Sequence, residues 1–363
     1  MNTFTTHKLT NGLEYILVPD DSFNNICFVF YVRLGSKYEI ERVNGIAHFI
    51  EHMVFKGTKK YSTPIKISKT LDIFGGNFNA YTDKHYTAYH IKIPYSKKAV
   101  ETVLDVISDM LFHSLIKQPD LQVERKVILE EINKEFDDED DYSARILCEQ
   151  MFKNTRLEKS VIGTKQTVNN ISRGDMLYYL VKYYQHSNIK LAVGGKIPKN
   201  IHTLIKKYLV KKSTHRIPKI ALNKNTKEHN QIILNQYHRY SESNEFIIKC
   251  IKRNNMSQVL MSIAFPCEGI FDKNQYEIDI MDNIFVSNMS ARLFIELREK
   301  SGLVYEVSSD YVLYEELGYY SIITRFVPKD LEKVLRIIIK NIKKIKNKLV
   351  SPSELSDAIE SQV

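Results

Sequence analysis

His48, Glu51 and His52 stand in the run His-Phe-Ile-Glu-His. On an α-helix, residues i, i+3 and i+4 share a face, so two imidazoles and one carboxylate project together. Imidazoles are good zinc ligands, and catalytic zinc takes three protein ligands with a water in the fourth place. A third ligand must come from elsewhere in the chain, and the glutamate between the histidines is better used as a general base towards that water. The same pattern also arises by chance, and a histidine pair on a helix is often only solvated or satisfied within a core. The surrounding sequence therefore decides between a metal site and an ordinary helix face.

The run Gly45-Ile46-Ala47-His48-Phe49-Ile50-Glu51-His52-Met53-Val54-Phe55-Lys56-Gly57-Thr58 closely resembles the signature of the insulinase-like (pitrilysin) zinc peptidases, family M16, nearest in pattern to its mitochondrial processing peptidase-type members. HxxEH is the inverted order of the inverzincins. In that family the third ligand is a glutamate on a later helix, in a pattern like E-R-x-V-I-x-x-E, which Glu124-Arg125-Lys126-Val127-Ile128-Leu129-Glu130-Glu131 matches. The resemblance implies one Zn2+ per chain held by His48, His52 and Glu131, with Glu51 as the base and Glu124 supporting the ligands from the same helical face. Glu130 is the alternative ligand, but one residue turns a helix by about 100°, so both cannot face the metal equally. The stretch from His52 to Glu131 is slightly longer than the family's usual spacing, and the excess is expected in a loop around Lys117 to Leu121.

Two further segments carry the likeness. Gly75-Gly76-Asn77-Phe78-Asn79-Ala80-Tyr81-Thr82 resembles the family's G-x-x-x-N-A-Y-T strand, which pairs with an extended substrate, so Asn79, Ala80 and Thr82 are expected to bind peptide. Strand addition suits peptides of varied sequence because main-chain hydrogen bonds supply affinity without reading side chains. The block from Ser290 to Tyr305 resembles S-R-L-F-x-x-L-R-E-x-x-G-L-x-Y, which maps the family's substrate-reaching Arg and Tyr onto Arg298 and Tyr305. From residue types alone, Arg298 would be a surface helix charge and Tyr305 the start of a buried strand. The implied activity is a zinc-dependent endopeptidase acting on peptides or unfolded segments. A catalytically silent member serving as scaffold or partner subunit is the alternative, and the presence of His48, Glu51, His52 and Glu131 together weighs against it. The resemblance also raises a homodimer or a heterodimer with a related subunit.

The elements that must position these residues follow from periodicity. Leu13 to Val18 and Ile26 to Leu34 read as strands; Asn44 to Phe55 reads as a helix because Ile46, Phe49, Ile50 and Met53 recur at i, i+3, i+4 and i+7. A helix over Pro64 to Phe74, a strand over Asn77 to Ile93, a helix over Lys97 to Leu111 and a long helix over Asp120 to Phe136 follow, the last running into the acidic run Asp137 to Asp141. Strand, Pro, then helix recurs at Tyr86 to Met110 and at Tyr319 to Ile342, a weak internal repeat. The expected class is α+β: two related domains, 1–210 and 240–363, joined by a linker over 211–239. The family resemblance implies that each is a mostly antiparallel sheet flanked by helices, the pair forming a clamshell. Ser351-Pro352-Ser353-Glu354 opens a helix by capping box and N-terminal Pro close to the last residue, Val363, so the second domain is expected to be incomplete.

Composition narrows the remaining classes. The chain has 363 residues, more than one hydrophobic core usually spans, and 43% hydrophobic with 26% charged residues suits a packed globular protein. The net charge of +9 raises nucleic acid or an anionic membrane, but the densest run, Lys343, Lys344, Lys346 and Lys348, interleaves with Ile342 and Ile345 as a solvated helix face. Neither nucleic acid nor membrane is expected as a partner. Cys27, Cys148, Cys250 and Cys267 lie far apart and read as free thiols. The polar start from Met1 to Asn11 shows no signal or transit peptide, so a cytoplasmic location is expected.

Overall fold

The computed structural model describes residues 4–210, 213–216, 246–254, 256–315 and 317–362. Most of the expected linker, 211–239, lies outside them. The chain divides into two compact units, Met1–Asp137 with Asn154–Tyr237, and Asp138–Lys153 with His238–Val363.

The first unit is built on a six-stranded sheet of β1 (Thr5–Lys8), β2 (Glu14–Pro19), β3 (Asn25–Val32), β4 (Asn77–Thr82), β5 (Thr87–Pro94) and β6 (Ile189–Gly195). The spatial order is β1-β2-β6-β3-β5-β4. All pairs are antiparallel except β2 with β6. Period-2 alternation puts Ile26, Phe28, Phe30 and Val32 of β3 into the core. The run from Asn77 to Ile93, expected as one strand, is instead a hairpin. Asp83 N donates to Tyr86 O at 2.8 Å and closes the turn, although no Gly or Pro marks it. This makes β4 an edge strand.

Around the sheet lie α1 (Ile46–Val54), α2 (Pro64–Asp72), α3 (Lys97–His113) and α4 (Gln118–Asp137). One further helix, α5 (Glu139–Met151), precedes α6 (Lys165–Asn170), α7 (Arg173–Tyr183) and α8 (Ile201–Leu209). The apolar face of α1 is fully buried at Ile46, Ala47, Phe49, Ile50 and Met53. Its polar stripe carries His48, Glu51 and His52, so the period that buries the helix also sets the direction in which the chemistry points. Lys117 to Leu121 is not an insertion loop: α4 begins at Gln118, and Leu121 is buried in its first turn.

The second unit has a three-stranded antiparallel sheet, β7 (Val259–Glu268), β8 (Val307–Leu313) and β9 (Leu317–Phe326), ordered β7-β9-β8. A helix over Leu331–Asn347 covers it, burying Val334 and Ile338 and turning Lys343, Lys344 and Lys346 to solvent. Strand, Pro and helix thus recur in both units. The α5 helix, placed by sequence within 1–210, packs instead with this second unit. Asp140 pairs with Arg325 at 2.6 Å through both carboxylate oxygens, Ser143 Oγ lies 3.1 Å from Ser262 Oγ, and Phe152 stacks near Tyr314 and Tyr319. Asp137 to Asp141 is therefore a helix junction, with Asp138 capping α5 by accepting from Asp140 N and Asp141 N.

Candidate metal centre

His48 and His52, one helical turn apart on α1, point their Nε2 atoms towards each other at 3.2 Å. Glu131, on α4, places Oε2 at 3.7 Å from each. These three ligand atoms all lie within 4.8 Å of one another, and among the described residues theirs is the group of His, Cys, Asp or Glu close enough to share an ion. Glu130 points elsewhere: it is exposed and accepts from Asn133 Nδ2 at 3.4 Å, as a solvated carboxylate does.

The electrostatics favour a cation at that point. His52 Nδ1 faces Glu124 Oε1 at 3.1 Å, which assigns the ring proton to Nδ1 and turns the Nε2 lone pair inward. Burial, and then neighbouring His52, pushes the His48 imidazole down to about 3, so it is neutral over the physiological range. The His52 Nε2 lone pair, the Nε2 of a neutral His48 and a carboxylate oxygen therefore converge on one small space. Burial alone would lower the His52 pKa, but the Glu124 hydrogen bond and the Glu131, Glu51 and Glu124 charges outweigh it, and the net shift is upward. Two imidazoles and a carboxylate are the donor set of a three-ligand catalytic zinc site, so residues and group fit.

The supporting residues are equally ordered. Glu124 is buried and also pairs with Lys56; burial raises its pKa, and His52 and Lys56 together bring it below the ordinary carboxylate range. Arg125 ties α4 down by donating to the Val168 and Ile171 carbonyls, the latter at 2.7 Å, while its guanidinium stacks over Phe49 of α1. Glu51 is 8% exposed, and its Oε2 accepts from Thr82 Oγ1 at 2.6 Å. Burial raises the Glu51 pKa against the opposing pull of that hydroxyl.

Of the residues expected to meet peptide, Thr82 thus touches Glu51. Asn79 is exposed on the edge strand β4, where its Oδ1 accepts from Ala80 N at 2.9 Å. Arg298 and Tyr305 belong to the second unit and neighbour each other, the guanidinium 5.1 Å from the Tyr305 ring centroid. Tyr305 is 77% exposed rather than the start of a buried strand. Sequence reasoning missed Glu39, a buried carboxylate that accepts from the backbone at the start of α1. Capping patterns are sought at the residue next to a helix, and here that residue is Gly45.

Comparisons with known proteins bear on the chain as a whole. Residues 15–165 match the model for insulinase (peptidase family M16), and residues 170–362 match the model for the peptidase M16 inactive domain. The chain is 27% identical to the uncharacterized zinc protease YmxG of Bacillus subtilis over 96% of its own length and 80% of that protein's. It is 28% identical to an uncharacterized zinc protease of Streptomyces coelicolor over 93% and 71%. A protease from Helicobacter pylori shares its fold, with a TM-score of 0.86 at 20% identity over 100% of this chain and 84% of that one. A peptidase M16 inactive domain from Pseudomonas fluorescens does so at 0.84 and 15%, over 99% and 83%. With residues 15–165 and 170–362 matched in succession by models of one family, the chain belongs to peptidase family M16.

Proposed function

We propose that this protein is a zinc-dependent endopeptidase that binds one zinc ion per chain through His48, His52 and Glu131 and cleaves peptides or unfolded segments. The observation that carries the reading is the convergence of those three donors, two of them on the α1 helix that also carries the buried carboxylate Glu51. When bound, zinc supplies Lewis acidity towards the scissile carbonyl and lowers the pKa of water, to about 7 in characterised zinc sites.

The chain's own residues do the rest. Glu51 takes a proton from the attacking water and passes it to the leaving amine. The Thr82 hydroxyl fixes one Glu51 oxygen and so orients the other. Glu124 holds the His52 tautomer, keeping Nε2 turned inward. The edge strand β4 offers Asn79 and Ala80 for pairing with an extended substrate backbone. Arg298 and Tyr305 are the donors proposed for the negative charge that grows on the carbonyl oxygen, each worth about 3 kcal/mol if aimed at it. The substrate is a peptide, and pairing with a second copy or a related subunit is part of this reading.

The second reading, a silent partner subunit, draws on the match of residues 170–362 to an inactive-domain model. One experiment separates them: zinc content by elemental analysis together with cleavage of a quenched fluorescent peptide library, on the wild type and on His52→Ala. About one zinc per chain with chelator-sensitive cleavage, both lost in His52→Ala, is the expected result. Zinc without cleavage favours the silent subunit, and absence of zinc overturns the metal centre.

A further inference from the structure

Helix α1 begins at Ile46 behind Gly45, which has no side chain to satisfy the first-turn N–H groups. Those groups are met from a distance. Glu39 Oε2 accepts from Gly45 N at 2.7 Å and from Asn44 Nδ2 at 2.7 Å, and Oε1 accepts from Ala47 N at 2.8 Å. Glu39 is fully buried. Its own carbonyl accepts from Lys159 Nζ, and Asn44 Nδ2 donates also to Ser160 O at 2.8 Å. The loop after Lys159 presses on the same point: a Cβ on Gly163 would lie 2.3 Å from Asn44 O, and one on Gly45 would lie 2.6 Å from Ile162 O.

An ordinary cap needs only a Ser or Asp beside the helix, in contact with water. Burying a carboxylate instead carries a desolvation cost of several kcal/mol, offset here by three hydrogen bonds and the positive end of the helix dipole. What the arrangement provides is fixity. Its donors are the backbone immediately before His48, which is the third residue of α1 and so lies in the turn that Glu39 holds. A first turn free to fray would release His48 before any other residue of the site.

Resting on the zinc peptidase reading, we propose that Glu39 is a positioning residue for the metal centre: its buried carboxylate locks the first turn of α1 and thereby holds His48 in place beside His52 and Glu131. Glu39→Gln keeps the size but sets an NH2 group against N–H donors, so at least one of the three bonds is lost.

The test uses the full chain, stripped of metal and loaded with Zn2+ or Co2+. For Glu39→Gln the expected results are zinc affinity weaker by about 10–100-fold against a competing chelator, and a displaced visible absorption band of the Co2+ form. A fall in kcat with KM near the wild-type value is expected beside them. Far-UV circular dichroism is expected to be unchanged, which separates a displaced ligand from a lost fold. Unchanged zinc affinity and an unchanged cobalt spectrum in a folded variant overturn the proposal. Should Glu39→Gln fail to fold, Asn44→Ala carries the test, since it removes one donor to Glu39 and the tie to Ser160; a displaced cobalt band supports the proposal and an unmoved one overturns it. A wild type that binds neither metal would instead overturn the zinc reading and this proposal with it, whereas a metal-binding wild type matched by the variant sinks only the role of Glu39.

Discussion

Glu51 lies between the two histidines in sequence, yet its hydrogen bond runs to Thr82 and not to the ligand cluster. That separation makes the base and the ligands independently removable. Glu51→Gln keeps volume and can still accept from the Thr82 hydroxyl, so zinc is expected to stay at about one per chain while kcat falls by about 10²–10⁴-fold, the usual range for a lost general base. Elemental analysis beside peptide cleavage checks this; loss of zinc from the variant would count against the base assignment. At this scale the sequence is informative because spacing on one helix determines direction. That His48, Glu51 and His52 share one helix face is legible from spacing alone, whereas a metal site there, with Glu131 as third ligand, is legible from the resemblance. Glu39 and Lys56 are not, because their roles depend on tertiary neighbours that local spacing does not encode.

Helix α1 is where burial and chemistry meet, and its entry carries a titratable group whose effect can be measured on the fold. Burial pushes the Glu39 carboxyl up from 4.5 to about 7, while bonds from Ala47, Gly45 and Asn44 and the charge of Lys159 pull it down. Tyr179 and Tyr183 also face it, and its charge is among the causes that raise their pKa values. Because the folded state holds the Glu39 proton more tightly than the unfolded chain, this group's contribution is fully present below about pH 4.5 and is lost as pH rises through about 7. The loss is of order 3 kcal/mol, since each tenfold difference in proton affinity between the folded and unfolded chain is worth about 1.4 kcal/mol. Urea unfolding of the metal-free protein at pH 5.5 and 7.5 is therefore expected to show a decline that Glu39→Gln lacks. Equal slopes in the two proteins would contradict the buried, proton-holding cap. Element boundaries are otherwise readable where periodicity is strong, as in α1 and α3. The β4–β5 hairpin reads as one strand in the sequence because its turn, Asp83 to Tyr86, contains neither Gly nor Pro.

Chain order and unit membership part company at α5. Asp138–Lys153 lies between helices of the first unit in sequence but packs with the sheet of the second. Residue patterns could not reveal this, since α5 is amphipathic whichever sheet it meets and none of its residues is fully buried. The consequence is that neither half of the chain carries all of the second unit. A fragment over 246–363 lacks the helix that supplies Asp140 to Arg325, Ser143 to Ser262 and Phe152 to Tyr314 and Tyr319. A fragment over 1–216 exposes that helix without its sheet. Co-expressed, the two are expected to associate, because the ring contacts of buried Phe152 with Tyr314 and Tyr319 are restored when they meet, the exposed Asp140–Arg325 pair adding little. Affinity purification through a tag on the first fragment is expected to bring down the second, and deletion of 138–153 from the first is expected to release it. Two soluble fragments that never copurify, or a deletion without effect, would show that α5 does not hold the second unit together.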